Sequence, residues 1–446
     1  MKQLMVMLLA AAFASYGQAP GPIALRGARI VTARGPVLEH GTVLLRNGLI
    51  EAVGENIDLP KDAWVIDGQG ITVYPGLIDA LSTVGLPETP AQPATPPRTE
   101  TPATPRLGAQ EPPMPLEQGP QFRPFTTTWV RAADLLNPAD RHIEEARSAG
   151  FTSTVTFPAT GIFAGQGAFL NLSGEKLGRM VVASPTGQYV TLTTHGFGTY
   201  PGSLMGVIAY VRQVSLDADH YQLEMQAYAK HPAGQKRPAY DRAVEGLLES
   251  PRLLLPADNA KQLDRMLHFA AELKHPALLY GGHEAYKIAD RVAQSSVPLL
   301  INLKWPEKPK DADPDQEESY RTLELRDRAP SSPAALEKAG AKFAFYSGGA
   351  PFKDVRKAVK RAIDAGLTEP AAVRALTLSV AEIYGLSDRV GSIEPGKIAN
   401  LLVVKGDLFD EKSKIQYVFI DGVKYEPVPE APPAEREGRP TPGGVE

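Results

Sequence analysis

The side chains that most often bind metal or act as nucleophiles are sparse in this chain. Its 446 residues include eight histidines and no cysteine. No two histidines have the H-x-H or H-E-x-x-H spacing that presents paired imidazoles to zinc. The lack of cysteine excludes disulfides, thiolate zinc sites and a cysteine nucleophile. No G-x-S-x-G turn occurs, so a serine hydrolase of that type is excluded as well.

Three residues at the ends of predicted strands remain as weak catalytic candidates. Asp79 ends an apolar strand and is either a general acid or base, or a structural carboxylate with hydrogen-bonded partners. His283 follows a strand in a Gly-Gly turn and could face a pocket. Lys304, in "INLKWPE", could bind an anionic or cyclic ligand or act as an amine nucleophile, or it could be a solvated rim lysine.

The compartment is indicated by the first residues. Lys2 precedes the short apolar run Leu4 to Ala14, and small residues allow cleavage near Ala14 or Ala19. We therefore predict a signal peptide over residues 1–19 and an exported protein, periplasmic or secreted. The net charge of −4, without a block of basic residues, argues against nucleic acid as a partner. No later segment is long and apolar enough to predict a membrane span.

Strands and helices alternate through the middle of the chain. Units such as "RLLLPA" followed by "NAKQLDRMLHFAAELK" predict parallel β-strands joined by helices. Their number favours an α/β fold with a (β/α)₈ TIM-type barrel over residues 74–394. The β-rich ends, 20–73 and 395–427, predict a small composite β-sandwich domain. Residues 86–128 are a Pro-rich insertion that we expect to be flexible, and 428–446 are expected to be a disordered tail.

Two motifs carry a resemblance to a known family. "YPGLID", Tyr74 to Asp79, and "RALTLSVAEIYGLSDRVGSIEPGKIANLLVV", Arg374 to Val404, resemble the metal-dependent amidohydrolase superfamily, especially its imidazolonepropionase-like and dihydroorotase-like branches. The resemblance implies a barrel with one or two divalent metals, usually zinc, that activate a water for attack on a carbon–nitrogen bond. It further implies metal ligands at the carboxyl ends of the barrel strands.

The sequence departs from that family pattern at every ligand position that we can align. The two strand-one histidines are replaced by Leu81 and Thr83, and the later histidines by Pro256 and Gly281, although a small shift would place His283 at the latter. The strand-eight aspartate is replaced by Gly348. Leucine, proline and glycine side chains offer no metal ligand, so we expect no metal cofactor and a loss of the family mechanism.

Three functions are compatible with these features, and whether the protein is an enzyme stays open. The first is a non-catalytic barrel that binds a small cyclic or amide ligand or associates with an active paralogue. The second is a divergent hydrolase of carbon–nitrogen bonds, such as those of cyclic amides, that uses other residues. The third is a structural partner that docks through the Pro-rich arm. A homo-oligomer is compatible with each of them.

Overall fold

The protein is represented by a computed structural model that describes residues 21–87, 123–174, 177–194, 199–309, 311, 313 and 317–428. The predicted signal peptide, residues 88–122 of the Pro-rich insertion and all but the first residue of the predicted tail lie outside these ranges. The described end of the insertion, 123–128, includes the buried residues Thr126 and Thr128. Within them, no helix combines the length and apolar character needed to cross a bilayer.

The strands are numbered in chain order. They are β1 (Ile23–Ile30), β2 (Leu38–Arg46), β3 (Leu49–Gly54), β4 (Trp64–Asp67), β5 (Ile71–Pro75), β6 (Leu77–Ser82), β7 (Phe151–Thr156), β8 (Phe163–Gln166), β9 (Ala168–Asn171), β10 (Val181–Ala183), β11 (Gln188–Val190), β12 (Leu253–Ala257), β13 (Ala277–Gly281), β14 (Leu299–Asn302), β15 (Phe343–Tyr346), β16 (Leu401–Lys405), β17 (Lys414–Ile420) and β18 (Val423–Tyr425).

The α-helices are numbered in the same way. They are α1 (Arg141–Ser148), α2 (Leu177–Met180), α3 (Leu204–Lys230), α4 (Arg242–Leu248), α5 (Ala260–Leu273), α6 (Ala289–Ser295), α7 (Tyr320–Arg328), α8 (Ser332–Ala339), α9 (Phe352–Asp364), α10 (Glu369–Ala375) and α11 (Leu378–Tyr384). Helix α5 shows how local sequence sets these limits. Asn259 and Gln262 form a reciprocal capping box at its start, and apolar residues three and four apart turn one face to the core.

Strands from both ends of the chain form one sheet. Its order is β18-β17-β16-β5-β1-β2-β3, with β4 pairing to β1. The junction is the antiparallel ladder in which Pro75 pairs with Leu401 and Ile71 with Lys405. Apolar side chains of β1, β2, β5, β16 and β17 make its buried core. The second domain is thus an eight-stranded sheet that neither end of the chain could build alone.

The central region consists of two further sheets with helices packed against them. One has the order β10-β9-β7-β6, and the other has the order β15-β14-β13-β12-β11-β8. The ladders from β11 to β15 are parallel, as is the ladder between β6 and β7. The predicted α/β fold with a second domain is therefore confirmed. The finer prediction of a closed barrel is not, because the described strands form two ladders.

Contacts at both edges bring the two sheets together. Strand β15 lies against β6, and the Ser347 amide donates to the Asp79 carboxylate over 2.9 Å. At the other edge β8 and β9 are separated by Gly167 alone, so they carry the chain directly from one sheet to the other. Both run antiparallel to their neighbours β11 and β7. The two sheets therefore enclose a common interior.

Side-chain alternation separates this interior from the layer beneath the helices. Leu254, Leu278 and Leu300 belong to the interior cluster, whereas Leu255 and Leu279 pack in the larger core shared with the helices. This is the period of two that strands require. Because β11 to β15 are parallel, their carboxyl ends lie along one edge, which we call the mouth.

A buried polar network fastens the two domains to each other. The Asn400 amide donates to Asn171 over 2.8 Å and to Ser153 over 3.1 Å. Asn171 in turn donates to the Asp421 carboxylate over 2.7 Å, and the Asp421 backbone amide donates back to Asn400 over 3.0 Å. These hydrogen bonds among Asn171, Asn400 and Asp421 therefore form only while the sheet built from both chain ends, which we call the end sheet, is packed on β7 and β9.

Replacing Asn400 should therefore destabilise the protein strongly. Asn400→Leu leaves the backbone amide of Asp421 without its acceptor and removes one hydrogen bond each from Ser153 and Asn171, and we expect a loss of about 2–4 kcal/mol in the free energy of unfolding. Urea denaturation followed by tryptophan fluorescence measures it. The exposed amide variant Gln222→Leu on α3 is the control and should stay within about 0.5 kcal/mol of wild type. Equal effects in the two variants would contradict a role for the network.

Candidate functional site

Polar side chains gather at the mouth, each directly after or at the end of a strand. Asp258 follows β12, His283 follows β13 by two residues, Asn302 ends β14 and Ser347 follows β15. Parallel strands place their carboxyl ends together, which is why residues far apart in sequence meet here. We treat this edge as the candidate site.

Three tyrosines line the interior just below these residues. The ring centroids of Tyr189 and Tyr280 are 5.1 Å apart, and those of Tyr280 and Tyr346 are 6.5 Å apart. The Tyr280 hydroxyl donates to the Val190 carbonyl over 2.9 Å. Burial raises the pKa of each phenol, most strongly at Tyr280 and Tyr346. They are therefore neutral rings that present aromatic faces, not anionic ligands.

Asp258 supplies the negative charge of the mouth. Its side chain is exposed, yet desolvation by the surrounding wall raises the pKa of its carboxyl, while the nearby His283 acts in the opposite direction. Its backbone amide donates to Gln262 over 3.0 Å, which ties the residue to the first turn of α5. The carboxylate is consequently held at the wall and can accept hydrogen bonds from a bound molecule.

His283 presents a neutral imidazole. Its Nε2 lies 3.1 Å from the Asn302 carbonyl, and its ring centroid lies 5.7 Å from that of Trp305. A carbonyl oxygen only accepts, so Nε2 carries the proton and Nδ1 keeps its lone pair. Burial lowers the pKa of the ring, with the Asn302 carbonyl acting the other way. Of the three catalytic candidates, His283 is the one that combines position at the mouth with titratable chemistry.

The other two candidates lie in different surroundings. Asp79 is buried in β6, with one carboxylate oxygen on the Ser347 amide and the other without a hydrogen-bond partner in the described part of the chain. Burial raises the pKa of Asp79 to about 6, although the hydrogen bonds from Ser347 lower it. Lys304 is exposed, and its backbone amide donates to the Asn302 side chain over 2.8 Å.

The five aligned ligand positions differ in their surroundings. Leu81 is buried in the interior cluster, and Thr83 is exposed beyond the end of β6. Pro256 follows Leu254 by two residues and lies on the interior side of β12. In β13 the alternation places Leu278 and Tyr280 inside, so the side chain that β13 contributes there is a phenol next to Gly281.

At Gly348 the space for a side chain is already filled. A Cβ built there would lie 1.8 Å from the Asn302 Oδ1, and the residue has a φ of +61°. Likewise, a Cβ at Gly281 would lie 2.3 Å from the Asp258 Oδ1 at a φ of +123°. The side chains of Asn302 and Asp258 thus occupy positions where the family pattern calls for an aspartate and a histidine.

These donors do not fit a catalytic divalent metal. Over the ranges that the structure describes, no three His, Cys, Asp or Glu side chains form a group that could hold a metal ion. Phenols with raised pKa values, an amide and a single imidazole are poor substitutes for the usual sets of several imidazoles and carboxylates. No reaction step through a metal can be built on them.

The residues that fill the site differ from those that the sequence predicted. The sequence-based candidates did not include Asp258, Asn302 or the tyrosines at 189, 280 and 346. A usable signal was present, because "LLLPADN", "ALLYGGH", "PLLINLK" and "FAFYSGG" all place a polar or aromatic residue at a strand end. The contact between Asn302 and Gly348 joins two strands and has no signature in one sequence.

The fold is shared with several known proteins. A model of the amidohydrolase family matches residues 260–424. An amidohydrolase from Thermotoga maritima MSB8 is similar over 91% of this chain and 100% of its own, with 26% identity and a TM-score of 0.71. A prolidase complexed with N-methylphosphonate-L-proline (16% identity, 91% and 100% coverage, TM-score 0.52) and phenylurea hydrolase B (14%, 91% and 96%, 0.53) share the fold.

The filled position at Gly348 gives a direct test by substitution. Gly348→Ala should lose about 2–4 kcal/mol, because the methyl group meets Asn302 and the left-handed backbone adds its own cost. Gly349→Ala is the matched control, since Gly349 has a φ of +78° and nothing within 4 Å of its Cβ position. It should lose only about 1 kcal/mol. Equal losses by chemical denaturation would show that Asn302 does not fill this space.

The buried carboxyl of Asp79 predicts a pH dependence of stability. Its folded pKa of about 6 exceeds the ordinary value of 3.8, so the folded state binds the extra proton between these values. Stability from this group is therefore lost as pH rises from about 4 to 6. The side chain at this position in the Asp79→Asn variant cannot titrate. The free energy of unfolding of this variant, relative to that of wild type, should therefore rise by up to about 3 kcal/mol as the pH is raised from about 4 to about 7.5. If urea denaturation showed the same pH dependence of stability for both proteins, the prediction would be wrong. The exposed Asp290→Asn variant is the control and should follow wild type.

Proposed function

Since this chain belongs to the amidohydrolase superfamily, we propose that it is an exported, non-catalytic member that binds a small cyclic or amide ligand at the mouth. The observation that carries the proposal is the occupied space at Gly348, where Asn302 stands in the place of the family's carboxylate. The proposal is also supported by the apolar or phenolic side chains that Leu81, Pro256 and Tyr280 turn to the interior.

The chemistry of the mouth suits such a ligand. The half-buried rings of Tyr189 and Tyr280 can stack on a flat cyclic group. The exposed Asp258 carboxylate can accept a hydrogen bond from an amide N–H, and the His283 Nδ1 can accept a second. Cyclic amides combine a flat ring with N–H donors. Export, as predicted from residues 1–19, would place this binding function outside the cytoplasm.

We also propose that the two central sheets act as one (β/α)₈-type barrel. The contact of β15 with β6, the hydrogen bond from Ser347 to Asp79 and the direct passage of the chain through Gly167 support it. The fold shared with the Thermotoga maritima amidohydrolase over its full length supports it as well. The Pro-rich insertion directly follows β6 and would lie on the mouth side.

A divergent hydrolase of carbon–nitrogen bonds is the second candidate. It is favoured by one observation, the proximity of a neutral His283 to an Asp258 whose carboxyl has a raised pKa. An imidazole with a free Nδ1 lone pair beside a carboxyl group supplies the two kinds of group that general acid–base catalysis uses. Turnover of cyclic amides or dipeptides that survives chelation and is lost in His283→Ala would establish it.

Metal content and ligand binding test the main proposal together. We expect purified protein to contain well under one zinc, manganese or nickel per chain by elemental analysis, and Leu81→His with Thr83→His to remain metal-free, because the other strand ends still lack ligands. Calorimetry with hydantoin and 2-pyrrolidone should detect binding that Asp258→Asn weakens about tenfold and Asp290→Asn leaves unchanged. Near one metal per chain, with activity abolished by chelator, would overturn the proposal.

A further inference from the structure

The long helix α3 has two apolar faces on opposite sides. One face packs into the central region through Val207, Val211, Val214 and Ala218, all buried. The opposite face carries large apolar side chains in solvent, where Met205 is 80% exposed, Leu216 55% and Leu223 63%. At about 100° per residue these exposed side chains fall within one narrow stripe centred on Leu216. A helix that only covered a core would need one apolar face.

The apolar residues of the stripe recur at the seven-residue interval of one core position of a coiled coil, and the alternating core position holds Arg212 and Asp219. Met205 and Ala209 are four residues apart, Leu216 and Leu223 follow at intervals of seven, and Ala227 comes four later. Steps of four and seven keep side chains on one side of a helix and let them interdigitate with a second helix. The stripe runs along most of the 27 residues of α3. It therefore offers about six turns of contact to a partner helix.

We propose that α3 is a homodimer interface, in which the stripe packs antiparallel against α3 of a second copy about a twofold axis at Leu216. The sizes of the side chains support this occupant. With Leu216 on the axis, Ala209 lies opposite Leu223 of the second copy, and Met205 lies opposite Ala227. Leu216 meets its own copy on the axis, and away from the axis each large side chain meets a small one, which is the self-complementarity that a twofold interface requires.

The charges along the stripe fit the same register. Residues on one side of an antiparallel pair face residues on the same side of the other helix. Arg212 and Asp219 share one side of the stripe, and in this register Arg212 lies beside Asp219 of the second copy, at a level one residue away. The twofold axis repeats that pair. Arg212 already donates to Glu272 of α5 over 3.0 Å, so its guanidinium is held in place before association.

The oligomeric state of the full chain tests the interface. Light scattering should find a dimer at micromolar concentration for wild type and a monomer for Leu216→Glu, with an unchanged circular-dichroism spectrum. Gln222→Glu is the matched control, because it adds the same charge to the same helix off the stripe and should stay dimeric. A monomeric wild type, or a dimer that Leu216→Glu leaves intact, would overturn the proposal.

A cysteine placed on the axis tests the register itself. The chain has no cysteine, so Leu216→Cys introduces a single thiol that faces its own copy. Mild oxidation should convert most of that variant to a disulfide-linked dimer, whereas Gln222→Cys should remain largely unlinked, because disulfides require Cα atoms within about 7 Å. If the thiol of the Leu216→Cys variant neither forms the disulfide nor reacts with maleimide, another segment of the chain, such as 88–122, covers the stripe, and the proposal is overturned.

Discussion

The arrangement of the central region depends on one hydrogen bond between distant parts of the chain. The Ser347 amide after β15 donates to Asp79 in β6, so the last parallel strand is held beside the first. That bond is made in a buried place where the carboxylate loses its water, which explains the raised pKa of Asp79. The bond that accompanies this loss of water aligns the end of β15 with β6. The parallel ladders from β12 to β15 place Asn302, His283 and Asp258 at the same edge.

Much of this architecture was predictable because strands and helices leave a periodic signature. Short apolar strands such as "RLLLPA" and helix signals such as the Asn259 cap indicated an α/β region, and the β-rich ends indicated a second domain. The motif around Asp79 indicated the family. Each of these features is local, so a single sequence records it.

The contents of the mouth were less predictable because they depend on contacts between strands. The sequence shows that Gly348 lacks a carboxylate but not that the Asn302 amide fills the space. A shift of one residue decides whether Gly281 or Tyr280 faces inward, and only the side-chain alternation in the folded strand resolves it. Helix α3 carries two apolar faces, and the sequence alone does not tell which of them is covered.

The end sheet also has a consequence for synthesis. Strand β5 pairs with β16, so one edge of the N-terminal strands stays open until nearly the whole chain has been made. Non-local pairing of this kind slows folding, because the loop must close before any contact repays it. The nascent protein therefore cannot complete the folding of this sheet early. That property would suit the proposed export through a channel that admits unfolded chains. It also leaves β5 exposed to wrong partners during that interval, which makes rapid capture by a chaperone an advantage.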